Sequence, residues 1–126
     1  MKNEIFRGIG TALATPMNLD GSIDYEAFGR LIDWQIESGI NALITCGTTG
    51  ESATMTEEEH KDVIRFTVER AAGRVPVVAG TGSNNTALAI SMTKYACSVG
   101  ADACLLVAPY YNKATQDGLI AHYTAI

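Results

Sequence analysis

Four times along the chain, an apolar run short enough for a buried strand gives way to a polar turn and then to a stretch with helical spacing. The period is about 30 residues, as parallel βα architecture requires. The expected strands cover residues 9–14, 42–46, 75–79 and 103–108. Their apolar residues are continuous rather than alternating, which suits strands buried on both faces. Phe28, Leu31, Ile32 and Ile36 predict a helix over 25–38, with Asp24 as its cap and Gly39 in the left-handed position after it. Trp34 lies off that stripe and is expected to cover the rim of the same face. Thr56 and Glu59 have capping-box spacing and open a second helix, whose apolar side is Val63, Ile64, Phe66, Val68 and Ala71 and which Gly73 ends. A third helix is expected over 85–99 before Gly100. A fourth starts at Gln116, with Leu119, Ile120 and Tyr123 on one side. Two folds compete: an open doubly wound sheet and a (β/α)8 TIM barrel. The last helical pattern reaches Ile126 without a capping glycine or proline. Four units are half of a barrel, so residues 1–126 are expected to be its N-terminal half, cut within or near the fourth helix.

Composition narrows the function classes. With 126 residues, 47% of them apolar and 18% charged, the chain fits one soluble unit. A net charge of −5 without a basic cluster excludes a nucleic-acid footprint. No apolar run approaches the ~20 residues of a membrane helix, and Met1-Lys2-Asn3-Glu4 lacks a signal-peptide core, so a cytoplasmic protein without membrane partners is expected. Cys46, Cys97 and Cys104 include no C-x-x-C pair, which argues against zinc and against a disulfide framework. They are read as reduced core thiols without a redox role.

The chemistry-bearing stretch is Gly47-Thr48-Thr49-Gly50-Glu51-Ser52, directly after the second strand. Glycines allow close approach of backbone to ligand, and adjacent threonines concentrate hydroxyls and N–H groups in a small volume. That array suits a carboxylate or phosphate at the carboxyl end of a strand. An ordinary βα turn whose hydroxyls cap the next helix explains the loop equally well. Glu51 is expected to anchor the loop by accepting backbone N–H bonds. In a parallel barrel Thr48, Thr49 and Tyr111 would meet on one face. Of Tyr110 and Tyr111, one is read as functional and the other as packing or interface. Gly80-Thr81-Gly82 lacks the rest of a dinucleotide fingerprint, and no P-loop is present, so it reads as a tight βα turn. His60 and His122 have no ligand partner at helical spacing. No cofactor and no metal are expected.

Together, Gly47-Thr48-Thr49-Gly50-Glu51-Ser52, Ala79-Gly80-Thr81-Gly82, Pro109-Tyr110-Tyr111-Asn112 and the opening Gly10-Thr11-Ala12-Leu13-Ala14-Thr15-Pro16-Met17 resemble the dihydrodipicolinate synthase and N-acetylneuraminate lyase family. The threonine pair, where the lyases usually carry serine-threonine, is similar to the synthase branch. The resemblance implies a (β/α)8 barrel, built as a dimer of dimers, that condenses pyruvate with L-aspartate-4-semialdehyde in lysine and diaminopimelate biosynthesis. Pyruvate would form a Schiff base with a lysine on the sixth strand. Thr49 matches the position that holds the pyruvate carboxylate, Thr48 the middle of a hydroxyl relay, and Tyr111 a tyrosine donated across a dimer interface. The Schiff-base lysine and the central relay tyrosine would lie beyond Ile126. Lys2, Lys61, Lys94 and Lys113 do not occupy the lysine's place, so the segment alone is expected to be inactive. Ser52, Ala53, His60, Asn84 and Tyr110 match the pocket that binds lysine as effector in inhibited relatives. Glu57 and Leu88 depart from that pattern, Leu88 replacing a glutamate that pairs lysine's amine, and weak or absent feedback follows. The alternatives are a sibling pyruvate aldolase, such as N-acetylneuraminate lyase or a 2-keto-3-deoxy sugar acid aldolase, and a non-catalytic half-barrel that associates with itself.

Overall fold

Backbone pairing settles which parallel fold the four units adopt. The computed structural model describes residues 4–126, so Met1, Lys2 and Asn3, and the expectations attached to them, lie outside it. In chain order the elements are β1 (Gly10–Ala12), α1 (Tyr25–Glu37), β2 (Ala42–Thr45), a single 3-10 turn (Ser52–Thr54), α2 (Glu57–Ala71), β3 (Val77–Gly80), α3 (Thr86–Ser98), β4 (Ala103–Leu105) and α4 (Gln116–Ala125). The strands form one parallel sheet in the order β1-β2-β3-β4. A doubly wound sheet reverses its strand order at the middle. This sheet does not.

Register shows that the covering helices share one face. Partners across the ladder include Thr11 with Leu43, Leu43 with Val77, Thr45 with Ala79, and Ala79 with Cys104. Residues paired in this way point to the same side, as do residues two apart on a strand. On that side the Thr11 hydroxyl donates to Gln35 of α1 (2.8 Å), and the Thr67 hydroxyl of α2 donates to Thr45 (3.1 Å). Thr81, just past β3, shares a hydroxyl bond with Thr93 of α3 (2.8 Å). Helices on one face of a sequentially ordered parallel sheet are the geometry of a barrel wall. Gly10, Ala12, Ile44, Val78, Ala103 and Leu105 alternate with the helix-facing set and line the opposite face. There Leu105 is 47% exposed, as is Val107 beyond it at 46%.

The core lies between sheet and helices: Leu13, Leu43, Val77 and Ala79 against Phe28, Ile32, Val63, Ile64 and Met92. Phe28 stacks on Phe66 at 5.8 Å between ring centres, and Tyr25 adds a tilted contact at 4.9 Å. Fully burying a side chain such as Phe28 or Ile32 contributes about 1.5–3 kcal/mol. Each helix is capped by its own sequence. Asp24 accepts from Ala27 N, Asn85 from Ala87 N and Leu88 N, and Thr115 from Gly118 N. Thr56 and Glu59 form the expected reciprocal capping box. Asp33 of α1 accepts from Arg70 and Arg74, tying α1 to the end of α2. Both guanidiniums hold its carboxyl below the usual range.

Some expectations need correction. β1, β2 and β4 end before their apolar runs do, because the loops at the sheet's carboxyl rim also carry apolar residues, whereas β3 starts two residues later than expected and runs one further, to Gly80. Trp34 is 60% exposed and covers nothing. Of the apolar side predicted for α4, Ile120 and Tyr123 are exposed, and the residue it buries is His122, bonded to Thr86 at 2.8 Å. Cys46 is buried, but Cys104 is only partly so and Cys97 is exposed, so they are not uniformly core thiols.

Candidate active site

The carboxyl ends of β2, β3 and β4 converge because glycine permits backbone to touch backbone. Cys46 turns the chain out of β2 with φ 55°. Gly80 lies so close beneath it that a Cβ there would sit 2.1 Å from the Cys46 carbonyl oxygen. At Gly82 a Cβ would sit 2.3 Å from Val107 N, so the turn after β3 is pressed against the strand exit of β4 as well. Gly80-Thr81-Gly82 is thus a close-approach turn, as expected. Its glycines hold three strand ends together.

The loop after β2 folds on itself through Gly50 N to Gly47 O (3.0 Å) and Glu51 N to Thr48 O (3.1 Å). Glu51 does not anchor it by side-chain caps. Glu51 adopts the left-handed conformation, with φ 56°, and its carboxylate lines the cavity below. The anchor is Thr15, buried after β1, whose hydroxyl donates to Gly50 O at 2.8 Å. In the sequence Thr15 stood only within the opening motif, just past the first expected strand. Its signal was a hydroxyl beside Pro16, at the rim where parallel folds gather their loops.

His60, on the first turns of α2, reaches across to Gly80 O at 2.8 Å. A carbonyl only accepts, so Nε2 carries the proton in this pairing. Burial pushes the imidazole below its ordinary value, against the opposing pull of the Gly80 carbonyl and Glu57. The Cys46 thiol is pushed up to about 12 by burial, which keeps it protonated and inert.

The turn after β4 is clasped to the turn after β3 by two amides. Asn84 Nδ2 donates to Tyr110 O (3.1 Å) and Asn112 Nδ2 donates to Asn84 O (2.7 Å). Between them Tyr111 has φ 65°, a conformation uncommon outside glycine, and its ring is 97% exposed. The backbone of this tyrosine is thus clasped while its ring stays uncovered.

These loops surround a cavity of about 530 Å³. Thr48, Tyr110 and Tyr111 line it, with Ser52, Ala53, His60 and Leu88. Asn84 is held beside it through Tyr110. Thr49 is exposed on the rim and lines neither this cavity nor the adjoining one under Cys46 and Gly47. Thr48 borders both. The cavity therefore offers hydroxyls, one half-buried imidazole and the acidic residues Glu51 and Glu57, but no amine. Lys61 pairs with Glu57 and lies over the Tyr95 ring at 5.7 Å, while Lys94 and Lys113 are exposed away from it. Among the described residues no group of three or more His, Cys, Asp or Glu converges to hold a metal, and no helix is long and apolar enough to cross a membrane.

A family model described as the dihydrodipicolinate synthetase family matches residues 5–126. The 4-hydroxy-tetrahydrodipicolinate synthase of Thermoanaerobacter pseudethanolicus is 57% identical over 122 residues, covering 97% of this chain and 41% of that protein. The enzyme of the same name from Gluconacetobacter diazotrophicus is 53% identical over the full 126 residues, 42% of its length. Among solved structures, the chloride-inhibited dihydrodipicolinate synthase of Acinetobacter baumannii, complexed with pyruvate, superposes with a TM-score of 0.94 at 48% identity, over 97% of this chain and 42% of that one. The chain thus spans about two fifths of the length of the relatives it matches.

Proposed function

The chain belongs to the dihydrodipicolinate synthetase family, and on that footing we propose that residues 1–126 supply the N-terminal half of a (β/α)8 barrel acting as a 4-hydroxy-tetrahydrodipicolinate synthase. The full-length protein condenses pyruvate with L-aspartate-4-semialdehyde through a Schiff base, in the cytoplasm, as a homo-oligomer. One observation carries the reading furthest: loops separated by more than sixty residues bring Thr48 and Tyr111 to a single cavity at the carboxyl rim of a parallel sheet.

In this reading Thr49, on the exposed rim, holds the pyruvate carboxylate, and its exposure leaves it free for a ligand. Thr48 relays protons between hydroxyls. Tyr111 completes the relay of a neighbouring subunit, which its exposed ring and clasped backbone support. The imine-forming lysine comes from outside these residues, since none of Lys61, Lys94 and Lys113 lines the cavity. The uncovered inner face of the sheet, with Leu105 and Val107, is then covered by the remaining strands. Ser52, Ala53, His60, Asn84, Leu88 and Tyr110 form an effector pocket in which apolar Leu88 offers no charge to an amine.

The test is the condensation assay on a full-length protein carrying this chain. Tyr111→Phe and Thr48→Val should each lower kcat by about 10²–10⁴-fold, the range of a lost proton-transfer group. Thr49→Val should chiefly raise the KM for pyruvate. No turnover of these two substrates by the unmodified full-length protein would overturn the assignment.

A further inference from the structure

Outside the candidate site, α3 and β4 each carry a free thiol, Cys97 and Cys104. The hydroxyl bond between Thr81 and Thr93 fixes where α3 crosses the sheet. Parallel βα units run helix and strand in opposite directions. One helical turn on from Thr93 is Cys97, about 6 Å further towards the amino ends of the strands. Two residues back along β3 from Thr81 is Ala79, displaced by a similar ~6.6 Å in the same direction. Ala79 is in register with Cys104, and both point to the helix side. Helix and strand therefore bring Cys97 and Cys104 to one level, on facing surfaces.

The connection between them is held at both ends. Ala101 N bonds to Ala96 O (3.0 Å), Gly100 turns with φ 92°, and Asp102 fastens the start of β4 by accepting from Val77 N (2.9 Å). Cys97 is exposed, and Cys104 is partly covered by the core. The Cys104 thiol is raised first by burial, against a side-chain hydrogen bond with Thr81 that lowers it, and Cys97 adds to the rise.

We propose that Cys97 and Cys104 form a redox-responsive pair that a low-molecular-weight disulfide closes into an intramolecular bond, stapling the last turn of α3 to β4. Exposed Cys97 meets the reagent. Its thiolate attacks one reagent sulfur, expels the first reagent thiolate and leaves a mixed disulfide. The Cys104 thiolate then attacks the Cys97 sulfur and expels the second. Two electrons pass from the cysteine sulfurs to the reagent disulfide, and the two thiol protons go to solvent. The pair was not legible from spacing, since six residues lie between the cysteines and neither motif nor context marks them. It stands apart from the proposed synthase function, so failure of one leaves the other intact.

The test is exposure of the reduced, folded 126-residue chain to glutathione disulfide, then alkylation and trypsin. Fragment 95–113 carries both cysteines without an internal cleavage site. It should appear two hydrogens lighter and unalkylated, at least tenfold faster than from chain unfolded in urea. Cys46 should stay reduced. In C104S, Cys97 should stop at the glutathione adduct, and in C97S, Cys104 should remain a thiol. A wild-type fragment that stays reduced or stops at the adduct, or that closes no faster than in urea, overturns the proposal.

Discussion

Replacing Gly80 with alanine perturbs the contact that gathers the rim. The added Cβ would sit 2.1 Å from the Cys46 carbonyl oxygen, 2.6 Å from its carbon and 3.0 Å from Gly47 N. All three are backbone atoms, so no flexible side chain can yield, and the turn after β2 must move off β3. Overpacking of this kind costs about 1–3 kcal/mol, and rigid neighbours put it near the upper end. Restricting the unfolded chain by exchanging glycine for alanine offsets about 0.4–1 kcal/mol of that. The net loss is therefore about 2–3 kcal/mol, which at a urea slope of about 2 kcal/mol/M moves the midpoint down by about 1–1.5 M. Gly47→Ala is the internal control: its Cβ meets only the Leu105 side chain, at 3.8 Å, and should shift stability by less than about 0.5 kcal/mol. Urea unfolding followed by far-UV circular dichroism measures both. An unchanged midpoint for Gly80→Ala, or an equal loss in Gly47→Ala, would refute the close-approach account.

Other perturbations probe the same rim. Thr15→Val removes the donor to the buried Gly50 carbonyl and should cost about 1–3 kcal/mol in the same urea experiment, the penalty of an orphaned buried acceptor. His60 titrates below its ordinary value in the fold, so the stability it contributes is complete above about pH 6.5 and is lost as pH falls through the lower folded value. His60→Gln keeps a donor for Gly80 O without titrating, and unfolding measured from pH 7 to pH 5 should show a shallower decline than wild type. Leu88→Glu in the full-length protein should lower the lysine concentration for half-inhibition, since it adds a carboxylate where Leu88 offers none. Strong lysine inhibition of the wild type would contradict that reading.

Much of the fold was legible because burial and turn chemistry agree along the chain. The four strand positions, the caps at Asp24 and Thr56, and the left-handed glycines after the first three helices follow from local rules that tertiary contacts reinforce. The choice between doubly wound sheet and barrel rested on strand order, a long-range property that no local pattern encodes. Trp34 and the apolar residues of α4 misled for a similar reason. Hydrophobicity shows that a residue seeks cover, but not whether a neighbour is there to give it. In the site, the glycine-threonine loop and Tyr111 stood out by residue type. The role of Thr15 depends on where β1 ends relative to Gly50, thirty-five residues away. The Cys97–Cys104 pairing required the crossing of α3 over β4, which only the Thr81–Thr93 bond locates.

The central claim is that these loops hold pyruvate for an amine supplied from elsewhere in the protein. Borohydride trapping with isotope-labelled pyruvate tests it directly, on the 126-residue chain and on a full-length protein carrying it. Label should become fixed to the longer protein, less so in Thr49→Val, and should be absent from the 126-residue chain alone. Stable labelling of Lys61, Lys94 or Lys113 in the short chain, or no labelling of the longer one, would contradict the account.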